Sequence, residues 1–182
     1  RRIVDGENVP ADEKLYSLFE EHTELLIRGK AGKAVEFGHM VLVAQTGEKF
    51  ISHYQSLAKR EPDQDLLPET LDAHRALFGH GPKLLAADKG FYESVGQLAA
   101  LETKIETVSI CKKGRRTAPE HARESTKAFK DGQRFRAGVE GSISVLKRAF
   151  KLNRCLFKGF KNFSASVGCA VFCYNLVLLT RL

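Results

Sequence analysis

Two acidic residues stand in settings that suit metal-assisted chemistry on a polyanion. Asp88 ends the apolar run Leu84-Leu85-Ala86-Ala87 and is followed at once by Lys89-Gly90. Glu140 lies in Arg136-Ala137-Gly138-Val139-Glu140-Gly141, with Lys147 seven positions further on. Carboxylate oxygens hold hard cations, and neighbouring Lys and Arg hold phosphates. At about 100° per residue, Gln133, Arg136, Glu140 and Lys147 fall within an arc of about 60° on a helix. That stripe borders the apolar positions Val139, Ile143, Leu146 and Phe150, which is where a site residue would lie. The same spacing also allows an ordinary Arg136–Glu140 pair worth a few tenths of a kcal/mol. Gly138 and Gly141 flank Glu140, each costing a helix roughly 1 kcal/mol relative to alanine. Close approach of a strand or a DNA backbone would offset that cost.

The elements that must position these residues can be read from pattern. Leu84 to Ala87 is short and wholly apolar, as expected of a strand buried on both faces, and Asp88 falls at its carboxyl end. Val35 to Gln45 and Lys49 to Tyr54, separated by Thr46-Gly47-Glu48, predict a hairpin. His22 to Ile27 predicts a short strand, and Arg28 to Lys33 a basic, flexible loop. Asp65 is placed to cap a helix from Leu66 to Phe78, which Gly79-His80-Gly81-Pro82 stops. Further helices are expected over Phe91 to Glu102, Glu120 to Lys130, Gln133 to Lys151 and Phe163 to Leu179, with a strand at Val108 to Ile110. The order predicts a central sheet with helices packed on it. Residues 1–34 read as a connector and loop region ahead of one domain over 35–182.

Charge is unevenly placed along the 182 residues, whose net charge is +7. Residues 1–103 carry 12 Lys/Arg against 17 Asp/Glu, and residues 104–161 carry 16 against 5. A basic block that encloses Glu140 points to nucleic acid, with a solvated helical face as the alternative. Arg28-Gly29-Lys30-Ala31-Gly32-Lys33 is not a phosphate-binding P-loop, because the GxxxxGK[ST] spacing is absent. Cys169 and Cys173 lie one helical turn apart, but no His or Cys pair with ligand spacing joins them, so buried thiols are favoured over zinc. The cysteines and the absence of a secretory signal give a cytoplasmic expectation. Asn162 to Thr180 lacks charge over nearly the length of a membrane span. Its Ser164, Ser166, Gly168, Tyr174 and Asn175 favour a buried helix that closes the core, and no membrane partner is expected.

Ala87-Asp88-Lys89-Gly90-Phe91-Tyr92 and the stretch Gln133 to Arg148 resemble the second and third catalytic blocks of DDE-type insertion-sequence transposases. Arg136, Glu140 and Lys147 match that family's R-x3-E-x6-K spacing, and Val35-Glu36-Phe37-Gly38-His39 is similar to its preceding strand region. The resemblance spans nearly the whole chain. It implies an α/β, ribonuclease H-like mixed sheet flanked by helices. It implies two Mg²⁺ (or Mn²⁺) ions held by three carboxylates, with Asp88 and Glu140 as two of them. It also implies double-stranded DNA as partner, held through Arg136, Lys147 and Gln133, and assembly as a homo-oligomer. Two departures stand out. Gln133 replaces the Tyr often found three residues before the Arg. The family's first Asp sits on a strand ahead of the hairpin, where this chain offers only Asp5 and Asp12, neither in an apolar run. The expectation is therefore a fragment whose first strand and its Asp lie ahead of Arg1, and which is inactive alone. A basic DNA-binding remnant without activity is the alternative.

Overall fold

The computed structural model describes residues 4–10, 13–30 and 33–182. Within these residues, six strands form three two-stranded sheets. The first pair, β1 (Glu24–Lys30) and β2 (Lys33–Gly38), is antiparallel, with Leu25 opposite Phe37 and Ile27 opposite Val35. Arg28-Gly29-Lys30 therefore ends a strand and Lys33 begins another, where the sequence predicted a flexible loop. Main-chain pairing across the ladder overrides the local Gly and Lys preference for a loop. This hairpin runs through residue 34, where the connector was expected to end. Asp5 is exposed in a turn, outside any strand, and Asp12 lies outside the described residues.

The second pair, β3 (Val41–Gln45) and β4 (Ile51–Ser56), is the predicted hairpin. One predicted strand over Val35 to Gln45 becomes two, broken at His39 and Met40. Ile51 begins β4, and its backbone is completed from far away. The Asn175 side-chain amide donates to the Ile51 carbonyl and accepts from the Ile51 N–H, each at 2.9 Å.

A 3-10 turn, Asp63–Leu66, runs directly into α1 (Leu67–Phe78). Asp65 consequently sits inside that turn and does not cap the helix; position Leu66 has no side-chain cap. Gly79, at φ +75°, closes α1 by donating its N–H to the Arg75 carbonyl. The third pair is parallel. β5 (Leu84–Ala87) and β6 (Thr107–Ile110) run in register from Leu84 opposite Thr107 to Ala87 opposite Ile110. They are joined through α2 (Val95–Glu102), which begins later than predicted because Ser94 caps it, accepting from Gln97 N–H at 3.1 Å.

Three helices follow: α3 (Ala118–Ser125), α4 (Lys127–Ala149) and α5 (Phe160–Leu179). The predicted break at Asp131-Gly132 falls instead at Thr126, whose extended backbone (ψ 151°) ends α3 and whose hydroxyl accepts from Phe129 N–H at 3.3 Å. Two apolar clusters form the core. Leu67, Leu71, Tyr92, Leu98, Ile105, Val108 and Ile110 pack α1 and α2 on the parallel pair. Ile51, Leu146, Val167, Ala170, Val171 and Tyr174 pack α5 and the end of α4 on the hairpin. The predicted buried helix is thus buried on one face only. Phe172, Leu176 and Leu179 on α5 are exposed, and the helix is long and apolar enough by length and composition to cross a membrane. The sequence also favoured buried thiols, but Cys169 and Cys173 lie on the exposed part of α5.

Candidate active site

The parallel pair fixes Asp88. Ala87 is the last paired residue of β5, so Asp88 emerges at the strand's carboxyl end and opens the 3-10 turn Lys89–Phe91. Its carbonyl accepts from Phe91 N–H at 3.0 Å. The Asp63 carboxylate lies close against Gly90. A Cβ at this position would lie 2.0 Å from Asp63 Oδ2 and 2.9 Å from Asp63 Cγ. Lys113 Nζ donates to the Gly90 carbonyl at 3.0 Å and to Gln64 Oε1 at 3.2 Å. The turn after Asp88 is therefore held by Lys113, with the Asp63 carboxylate packed against it. Neither residue had been singled out from sequence; the only signal was Lys113's place in a basic run.

The first half of α4 is set against β6 with unusual closeness. A Cβ on Gly132 would lie 2.6 Å from Ser109 Cβ, 2.8 Å from Ser109 Oγ and 3.3 Å from Leu84 Cδ1. Only glycine lets the helix approach this far. Ser109, fully buried, donates its hydroxyl to the Phe129 carbonyl at 2.7 Å. Gln133 Nε2 donates to the Ser109 carbonyl at 2.6 Å and to Ser109 Oγ at 3.2 Å. The Gln133 amide thus engages β6. Gly138 and Gly141, in contrast, have nothing within 4 Å of where a Cβ would be, so no strand approaches them. The predicted close approach to a strand occurs at Gly132 instead.

With α4 fixed at that register, Arg136 points at β5. Its Nη1 donates to Asp88 Oδ1, 48 residues away, and reaches Glu140 Oε1 at 3.5 Å, the outer limit of a hydrogen bond. Two carboxylates from different elements therefore converge on one cation. The carboxylate side chains are open to solvent, Asp88 at 64% and Glu140 at 71%, whereas Arg136 is at 26% with its Nε buried and unpaired. Lys147 lies on the same helix, half-buried, with no ion pair among the described residues. The neighbouring Cys111 thiol is pushed up by burial.

The basic loop after β6 is largely engaged within the protein. Lys112 Nζ donates to both Glu120 carboxylate oxygens, at 2.6 and 2.7 Å, and Arg116 pairs with Glu124 at 2.7 Å. Lys112 and the Thr117 N–H hold the Glu120 carboxyl down at about 2. Arg123 donates to the Val108 and Ile110 carbonyls at 2.9 and 3.2 Å and stacks over Phe129 at 5.2 Å, which closes β6 along its outer side.

A family model described as "Transposase DDE domain" matches residues 1–176. The chain belongs to this family. No curated protein and no solved structure gives a match. The mixed α/β arrangement, with small sheets and five helices among the described residues, is compatible with the ribonuclease H-like fold that a transposase DDE domain implies. Members of this family act in transposition, on DNA, and generally use divalent metal ions. The donor set here fits such an ion in part. Asp88 and Glu140 offer hard oxygen ligands around a position that a cationic group already takes. No cluster of three or more His, Cys, Asp or Glu suited to a metal occurs among the described residues.

Proposed function

We propose that this chain is the C-terminal part of a catalytic domain that cleaves and joins DNA at the ends of an insertion element. The observation that carries this reading is the convergence of Asp88 and Glu140 on Arg136, across 48 residues of sequence and two separate elements. Asp88 and Glu140 would hold the metal, Mg²⁺ or Mn²⁺. Bound ions of this kind activate a water or a DNA 3′-hydroxyl and stabilise the leaving oxygen of a phosphodiester. The chain's own residues set the geometry for that chemistry. Lys113 fixes the turn that carries Asp88, and Gln133 fixes the register that presents Glu140. Arg136 and Lys147 bind the phosphates on either side of the acids, and Gln133 borders that track.

A third carboxylate belongs to this reading, and the sheet supports a place for it. Arg123 caps the outer side of β6, whereas β5 pairs with no strand but β6 among the described residues. A strand added to that free side of β5 would end beside Asp88. We assign it to sequence ahead of Arg1, carrying the first Asp. The assembled domain would work as a homo-oligomer that brings two element ends together.

The test restores the upstream sequence and measures Mg²⁺- or Mn²⁺-dependent nicking of duplex DNA bearing the element's end. Asp88→Asn and Glu140→Gln are each expected to reduce nicking to background while DNA binding persists. Unchanged nicking in both variants would refute the catalytic assignment. A wild-type protein that binds DNA but never nicks it would favour a binding-only remnant. The absence of a three-residue ligand cluster among the described residues is the observation in that reading's favour.

A further inference from the structure

We infer that the Arg136 guanidinium is a built-in stand-in for the metal: it bridges Asp88 and Glu140 until a divalent cation takes that seat, and is thereby released to bind phosphate. This rests on the reading of Asp88 and Glu140 as metal ligands, and adds a role for Arg136 before metal arrives. Three observations carry it. Arg136 Nη1 contacts both carboxylates, so it stands where a shared cation would stand. Both carboxylates are mostly exposed, so the pairs are screened and weakly held, and a divalent ion can compete for them. The Arg136 Nε is buried without an acceptor, so the bridging pose leaves one of its donors unsatisfied. A guanidinium that turns outward exchanges this incomplete set for phosphate oxygens, which accept its planar donors two at a time.

The consequence is reciprocal linkage. If Arg136 must leave the acids for metal to bind, then removing Arg136 tightens metal binding in the absence of DNA. The measurement is Mn²⁺ binding by electron paramagnetic resonance to the protein with its upstream sequence restored, at fixed ionic strength and without DNA. Arg136→Gln is expected to bind Mn²⁺ roughly two- to fivefold more tightly than wild type, the fold-change matching loss of an exposed ion pair. Lys147→Gln removes the same charge from the same stripe but touches neither acid, so its affinity should stay at the wild-type value. Equal tightening in both variants would mean that only net charge matters and would overturn the inference. So would unchanged or weaker binding in Arg136→Gln, provided Asp88→Asn lowers Mn²⁺ affinity; in that case the metal assignment survives alone. If Asp88→Asn and Glu140→Gln leave Mn²⁺ binding unaltered, or if no variant binds Mn²⁺, the metal assignment itself falls and this inference with it. Near-ultraviolet circular dichroism of each variant checks that the fold is retained.

Discussion

The two halves of α4 are held to the protein by different forces. The first half meets β6 through directional contacts: Gly132 against Ser109, Ser109 Oγ on the Phe129 carbonyl, and Gln133 on the Ser109 carbonyl. The second half is held by apolar burial. Leu146, 1% exposed, packs with Ile51, Val167, Ala170, Val171 and Tyr174, and one polar bond, Tyr174 hydroxyl to Ser142 Oγ at 2.9 Å, joins them. Apolar contact is strong but indifferent to small rotations, whereas hydrogen bonds and a sub-Cβ approach fix rotation and register. The directional half is the one that aims Arg136 and Glu140 at Asp88. In this helix, adhesion and aim are divided between its ends.

Substitutions that attack one half at a time should expose that division. The largest effect is expected from Leu146→Ala, which leaves a cavity in the hairpin cluster and should cost about 2–5 kcal/mol in urea unfolding. Hydrogen exchange should then rise in β3, β4 and α5 more than in β5 and β6; a uniform rise would mean the two clusters are one cooperative unit. Gly132→Ala comes next. Overpacking against Ser109 and Leu84 should cost about 1–3 kcal/mol and push α4 off β6. Gly168→Ala, on α5 where that helix packs on the hairpin, is the matched control. Its Cβ meets the Tyr54 hydroxyl at 2.6 Å, but Tyr54 is 39% exposed and its ring end can move outward, so the cost should be smaller. Equal costs at the two glycines would remove the distinction between aim and adhesion.

Much of this arrangement was legible in the sequence. Four apolar residues between Lys83 and Asp88 marked β5, and helical spacing put Arg136, Glu140 and Lys147 on one stripe bordering Leu146. The break at Gly132 was misplaced because glycine's poor helix propensity is a local signal, and the gain from touching Ser109 is a tertiary one. The Arg136–Asp88 contact was equally hidden, since it depends on how α4 and β5 pack and not on either segment alone. Lys113 gave no sign of supporting the Asp88 turn, because its partner there is the Gly90 carbonyl of a distant loop.

The smallest expected effect concerns acid. Glu120 has an ordinary value near 4.5 and is held at about 2 by Lys112 and Thr117. A carboxyl lowered on folding contributes stability that is present above about pH 4.5 and is lost as pH falls toward 2. Glu120→Gln should therefore flatten the pH dependence of unfolding between those values and lower neutral-pH stability by the same amount, a small one because the pair is partly solvated and screened. Acid titration followed by circular dichroism tests this. A steep loss at neutral pH would instead mean that the loop after β6 depends on Glu120 to hold its shape.

The Asn175–Ile51 pairing bears on how the protein is made. The two residues are 124 positions apart, and Asn175 supplies the partners for both backbone groups of Ile51. At synthesis rates of roughly 5–20 residues per second, the hairpin waits on the order of 6–25 s for its last helix to emerge from the ribosome. During that interval the start of β4 is open to any strand that reaches it. Nascent chains crowded on one message would be the first candidates, so slow translation through residues 60–160 should raise the fraction that aggregates.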